Sequence, residues 1–155
     1  MNVFILDRDM RKSAQMLDDA HLKAQINEAC QILMANYNHE HFPDAKIGHV
    51  NHPVTNFYAD EDCMVELVNY CFELVFEYFI RFGKRHQNEF FIDGYSQYEY
   101  QHERLYTCDT FIKSKTYVNG SMTDDIEAIR HYIMTKPHTR PLTWTNRNKP
   151  DWWEV

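Results

Sequence analysis

A chain of 155 residues, 44% hydrophobic and 15% aromatic, has the usual size of one domain and can bury a substantial core. Its net charge of −7 excludes a protein that coats nucleic acid through bulk electrostatics, because that mode needs a broad basic footprint; only a local basic patch remains open. The four cysteines, Cys30, Cys63, Cys71 and Cys108, form no CxxC pair and read as reduced packing thiols. The first residues, MNVFILDRDMRK, carry neither a basic n-region nor a small-residue cleavage site, so a cytoplasmic location is expected.

In chain order, an extended segment opens the molecule at residues 2–6, and a short helix near 9–18 runs or bends into a second. That second helix, DDAHLKAQINEACQIL at 18–33, is amphipathic. At 3.6 residues per turn, Leu22, Ile26, Ala29 and Leu33 form an apolar stripe, and Asp18, His21, Gln25 and Glu28 share the neighbouring face. A polar stripe is ordinarily solvated surface. This one brings a histidine, an amide and a carboxylate together, which is also the composition of a site wall.

The next stretch, NHEHFPDAKIGHVNHP, gathers His39, His41, His49 and His52 with Glu40 and Asp44 and invites a metal. It is a loop broken by Pro43, Gly48 and Pro53, without the i, i+4 histidine pair of a helix-borne zinc site, so neither metal nor cofactor is expected. Asn51 and His52 at its end are candidates for substrate contact. The simpler alternative is that His52, beside Pro53, is fixed by a turn.

Residues 59–83, ADEDCMVELVNYCFELVFEYFIRFG, make the longest apolar pattern. Glu66, Asn69, Glu73 and Glu77 recur every three or four residues, reading as a wet stripe that a membrane span would not tolerate. Phe72, Phe76 and Phe79 are accordingly expected in the core. Asp60, Glu61 and Asp62 suit the start of the helix and Gly83 its left-handed stop. The apolar face is too wide for one neighbour, so this helix should be central. Residues 88–119 are tyrosine-rich, with YSQYEYQ alternating at period two and VNGS offering a turn. A late helix at 123–135, capped by Ser121 or Thr123, buries Ile126, Ile129 and Ile133 and is closed by Pro137. The fold expected is mainly α: a compact single-domain helical bundle over residues 1–155, with an irregular tyrosine-rich insertion and an aromatic C-terminal tail.

The chain has no phosphate-cradling glycine loop, and its helical cysteines are not placed as nucleophiles. The tail, KPHTRPLTWTNRNKPDWWEV, sets Lys136, Arg140, Arg147 and Lys149 among Trp144, Trp152 and Trp153. Aromatic faces interleaved with cations hold single strands and extruded bases by stacking and phosphate pairing. The competing reading is that the tryptophans simply cap the bundle.

The order HLKAQINE, then NHPVTNFY opening a helix that ends in RFGKRH, then RPLTWTNRNKPDWW, after the start NVFILDRD, resembles a phage-type protein family. The spacing of His21 and Glu28 and the Arg-Pro-Trp tail are similar to those of the pyrimidine-dimer DNA glycosylases of the endonuclease V type. The resemblance implies a helical fold, a DNA or nucleotide substrate, and the cytoplasm of a phage-infected bacterium. It gives Glu28 the role of stabilising charge on the sugar while the N-glycosidic bond breaks. His21 lines the same groove, and with Gln25 it would hold substrate hydroxyls or phosphate.

Two positions depart from the pattern. The family's arginines beside its glutamate are replaced by Asn27 and Gln31. Its nucleophile, the free α-amine of a small second residue, is matched here by Asn2, before which methionine is generally retained. The strand-cutting lyase step is therefore not carried over, and Asn2→Ala is expected to matter little for turnover. The alternative from another class is a non-catalytic phage protein that blocks a host factor; its carboxylates would be expected in runs, and here they are spread over all the helices.

Overall fold

The structure, a computed structural model, describes residues 1–36, 48–98 and 108–154. Six helices and one two-stranded sheet are present among the described residues: α1 (Met10–Met16), α2 (Asp19–Asn36), α3 (Pro53–Phe57), α4 (Glu61–Phe82), α5 (Glu89–Tyr98), β1 (Thr116–Val118), β2 (Ser121–Thr123) and α6 (Ile126–Thr135). The fold is mainly α, as the sequence patterns indicate.

The helices start where the sequence supplies acceptors for unpaired backbone N–H groups. Asp9, Asp60 and Asp125 each accept from the residue three positions on, Lys12, Cys63 and Ala128. His52 Nδ1 accepts from Val54 N just ahead of α3, with Pro53 filling the first helical position. Gly83 ends α4 at φ 66°, in the left-handed region where only glycine sits without steric cost. The cap of α6 is Asp125, because Ser121 and Thr123 belong to β2, which pairs antiparallel with β1. The turn between the strands places Asn119 at φ 48° and Gly120 at φ 91°, the backbone that an Asn-Gly dipeptide favours.

The alternation in YSQYEYQ suggests extended chain, yet residues up to Tyr98 continue α5. Burial of Ile92 and packing of α5 on α4 override a pattern only a few residues long. The remainder of that stretch, and the histidine loop through residue 47 with His39, His41, Glu40 and Asp44, lie outside the described residues.

Helix α4 is central, contacted by α1, α2 and α5, but it is turned the opposite way from what its carboxylates imply. Glu66 and Glu77 are only 4% and 2% exposed, while Phe76 and Phe79 are 50% and 48% exposed; Phe72 and Glu73 are intermediate. Both buried carboxylates anchor distant chain. Glu66 accepts the backbone N–H groups of Ile112, Lys113 and Ser114 and the Ser114 hydroxyl. Glu77 accepts from Arg81 Nε at 2.7 Å and from Arg147 Nε and Nη2, both at 2.9 Å. A carboxylate supplied with that many donors keeps its solvation inside the protein. Periodicity registers only that a residue is charged, not that it is already paired, and so it put the wrong face outward.

No described helix is long and apolar enough to cross a membrane. The four cysteines are free, with Cys30, Cys63 and Cys71 buried. Burial pushes the Cys30 and Cys63 thiols up to about 12, which keeps them protonated and inert at neutral pH.

The inverted face has a measurable consequence. Urea unfolding should show Glu66→Ala losing about 3 kcal/mol, since it strands three backbone donors, and Phe76→Ala losing less than about 1 kcal/mol. The opposite ranking would mean that the carboxylate face of α4 is the wet one after all.

Candidate active site

The site begins with the opening segment, which is extended but has no strand partner among the described residues. Side chains satisfy its backbone instead. Gln25 of α2 accepts Phe4 N–H and donates to the Asn2 carbonyl, both at 2.8 Å. Thr116 of β1 donates to the Val3 carbonyl at 2.6 Å and accepts Ile5 N–H at 3.1 Å. The Asn2 side chain stands in for a ladder pair: Nδ2 donates to the Tyr117 carbonyl at 2.7 Å, and Oδ1 accepts Tyr117 N–H at 2.9 Å. The backbone nitrogen of Asn2 donates to Glu28 Oε2 at 2.7 Å.

These contacts revise two sequence readings. Gln25 is buried with both ends of its amide committed, so it positions the opening segment and is not free to hold substrate. Asn2 is not idle either, because its side chain joins the segment to β1.

Beside this segment lies a cavity of about 340 Å³. Helix α2 lines one side with His21, Gln25 and Glu28, leaving room at Ala20 and Ala24, and the strap of residues 136–142 after α6 lines the other. The strap brings Lys136 and Arg140 to the same cavity as Glu28. Lys136 Nζ lies 5.2 Å from the centre of the Phe4 ring, and Arg140 makes no ion pair among the described residues.

The tail is fixed by groups that sequence reasoning proposed for substrate. Arg147 is taken by Glu77. Trp144 donates its indole N–H to the Met16 carbonyl at 3.0 Å and packs edge-on to buried Trp153, so it caps the bundle. Asp19, at the start of α2, accepts the hydroxyls of Thr143 and Thr145 and the N–H of Thr145. Lys149 is exposed and, like Asn51 in the turn before α3, does not line the cavity. His52 caps α3 and lies edge-on to Tyr117 at 6.2 Å. Burial lowers its pKa, with the charge of nearby Glu28 acting in the opposite direction. Of the residues that the sequence suggests for the site, His21, Gln25, Glu28 and Arg140 line the cavity, and Arg147, Lys149, Trp144, Asn51 and His52 do not.

Three contributors were not picked out as site residues. Phe4 lines the cavity. His138 in the strap does so too, 5.5 Å and edge-on from His21, and its Nε2 is buried without a partner among the described residues. Asp18, 1% exposed in its side chain, holds His21 Nδ1 with Oδ2 and accepts the N–H groups of Ala20 and His21 with Oδ1. Burial acts to raise the Asp18 pKa, but the hydrogen bond and charge of His21 and the two backbone donors outweigh it, leaving the carboxyl below its usual range.

A helix-borne Glu and His thus face cationic chain across one cavity. The chain belongs to the pyrimidine dimer DNA glycosylase family, whose model matches residues 1–90. That span includes His21 and Glu28 but stops short of the strap. No curated protein and no solved structure matches the chain.

Two outcomes are expected from this geometry. Asn2→Ala should cost about 1 to 3 kcal/mol in urea unfolding, because it leaves the Tyr117 N–H and carbonyl unpaired; an unchanged midpoint would mean that the side-chain bridge is dispensable. The folded-state pKa of Asp18 is depressed, so its contribution to stability is complete above the unfolded value of roughly 3.9 and is lost as pH falls through the lower folded value. The stability gap between wild type and Asp18→Asn should therefore be largest near neutrality and close in strong acid, as read by denaturant melts at each pH.

Proposed function

We propose that the protein is an N-glycosidase that breaks the bond between base and sugar in DNA or in a nucleotide, with Glu28 stabilising the sugar cation. The observation that carries this reading is the presence of Glu28, Arg140 and Lys136 around one cavity. Departure of the base leaves positive charge on the sugar ring, and a carboxylate fixed alongside lowers the energy of that state. The substrate also carries phosphate, and a free guanidinium with an ammonium beside it suits that group. They supply cations where Asn27 and Gln31 do not; Asn27 is instead bonded to Asn88.

Family membership supports DNA as the substrate class, with the target base extruded from the helix into the cavity. The acidic net charge of −7 suits a free nucleotide equally well. A strand-cutting lyase step is left out of the proposal. Its nucleophile would be the nitrogen of residue 2, which sits at Glu28 but is an amide, not an amine, while Met1 is attached.

The non-catalytic alternative, a phage protein that blocks a host factor, has one observation in its favour: the half-exposed aromatics Phe76 and Phe79 along α4, with Phe90 beyond them on α5. Turnover that depends on Glu28 would exclude it.

The decisive assay offers wild type and Glu28→Gln two probes, a duplex oligonucleotide containing a cyclobutane pyrimidine dimer and a set of pyrimidine nucleoside monophosphates, and measures released base. The near-isosteric amide should keep the fold and lower turnover by about 10²-fold or more. A loss under tenfold is too small for the role given to Glu28. Borohydride should trap no covalent adduct; efficient trapping would restore the lyase step.

A further inference from the structure

Breaking an N-glycosidic bond creates two charges. Glu28 answers the positive one on the sugar, but the electron pair of the broken bond leaves with the base, and in a partly buried cavity that negative charge needs a proton donor. Glu28 cannot serve both ends. His21 lies seven residues earlier on the same face of α2, roughly 10 Å along the helix axis, and lines the same cavity. That separation lets one group meet the sugar while the other meets the base.

The surroundings of His21 set its geometry. Asp18 Oδ1 is held by the N–H groups of Ala20 and His21 at the start of α2, where the helix dipole favours an anion. Its Oδ2 is bonded to His21 Nδ1. A carboxylate used as acceptor on both oxygens requires the imidazole to be the donor, which puts a hydrogen on Nδ1. The ring is also fixed in orientation, edge-on to Phe4 at 6.0 Å and to His138 at 5.5 Å. Nε2 makes no hydrogen bond among the described residues. The charged or titratable groups around the ring are Asp18 on its own helix, His138, Lys136 and Arg140 on the strap, and Glu28 further along α2.

We propose that Asp18 is a positioning residue that holds His21 with Nε2 directed at the substrate, and that His21 donates the proton to the departing base. The proposal rests on the N-glycosidase reading. As the bond from C1′ to the base nitrogen breaks, its electron pair goes to the base, and the proton on His21 Nε2 follows it. Water then adds at C1′, and its surplus proton returns to Nε2 through solvent. The products are free base and a sugar hydroxyl, and the imidazolium is restored.

Two measurements on the full chain test this. Long-range proton–nitrogen correlation spectra of neutral His21 should show hydrogen on Nδ1 in wild type. In Asp18→Asn the amide still caps α2 through its oxygen but offers an N–H toward Nδ1, so the tautomer should switch to Nε2–H. On whichever probe wild type turns over in a Glu28-dependent way, Asp18→Asn and His21→Gln should lose roughly 10- to 100-fold in kcat with little change in KM. An Nε2–H tautomer in wild type overturns the positioning role. Activity within about threefold of wild type in both variants, with Glu28→Gln inactive, overturns the proton-donor role and leaves the Glu28 reading intact. Failure of wild type to turn over either probe defeats the N-glycosidase reading and the proton donor with it, while the tautomer still decides whether Asp18 orients His21.

Discussion

One buried guanidinium organises this molecule. Arg81 has no exposed side-chain surface and reaches Glu77 on its own helix, Asp19 at the start of α2 and the carbonyl of Gln15 in α1. Through Glu77 it is joined to Arg147, and through Asp19 to Thr143 and Thr145. Three helices and the C-terminal tail therefore meet at one ion network. A buried pair of this kind is strongly destabilising when one partner is removed, by about 3 to 5 kcal/mol, because the other charge is left without compensation. Its main effect is to fix register: it sets where the tail crosses α2, and hence which residues of the strap face Glu28.

The same logic recurs at smaller scale. Glu66 gathers the loop before β1, Gln25 and Thr116 hold the opening segment, and Asp18 holds an imidazole. In the first two cases a polar side chain from a regular element takes over backbone hydrogen bonds that a longer sheet would otherwise supply. This is how a protein with two short strands among the described residues keeps irregular chain ordered close to a cavity.

What could be read from the sequence follows from this. The approximate extents of α1, α2 and α4, the acidic start of α4 and the Gly83 stop depend on local rules and were legible, and the shared face of His21 and Glu28 follows from helical spacing alone. The outward face of α4 was not legible, because the donors that make Glu66 and Glu77 interior groups come from residues 112–114 and 147, far along the chain. Trp144 and Arg147 have the composition of a nucleic-acid contact, and only long-range pairing assigns them to the frame. Arg140 is of the same residue type, lines the cavity and makes no ion pair among the described residues. No local property separates the two arginines, and what distinguishes them is whether a carboxylate waits inside the fold.

The placement of the strap also has a consequence for how the protein is made. Glu28 and His21 emerge from the ribosome well before residues 136–142, the chain that forms the opposite side of their cavity. Until then Asp19, Glu66 and Glu77 lack the partners that residues 112–147 provide, and α2 lacks the strap across its cavity. The helix that carries Glu28 is thus synthesised ahead of the strap, so that partially translated chains that stop short of residues 136–142 carry the carboxylate without the cations that face it across the cavity.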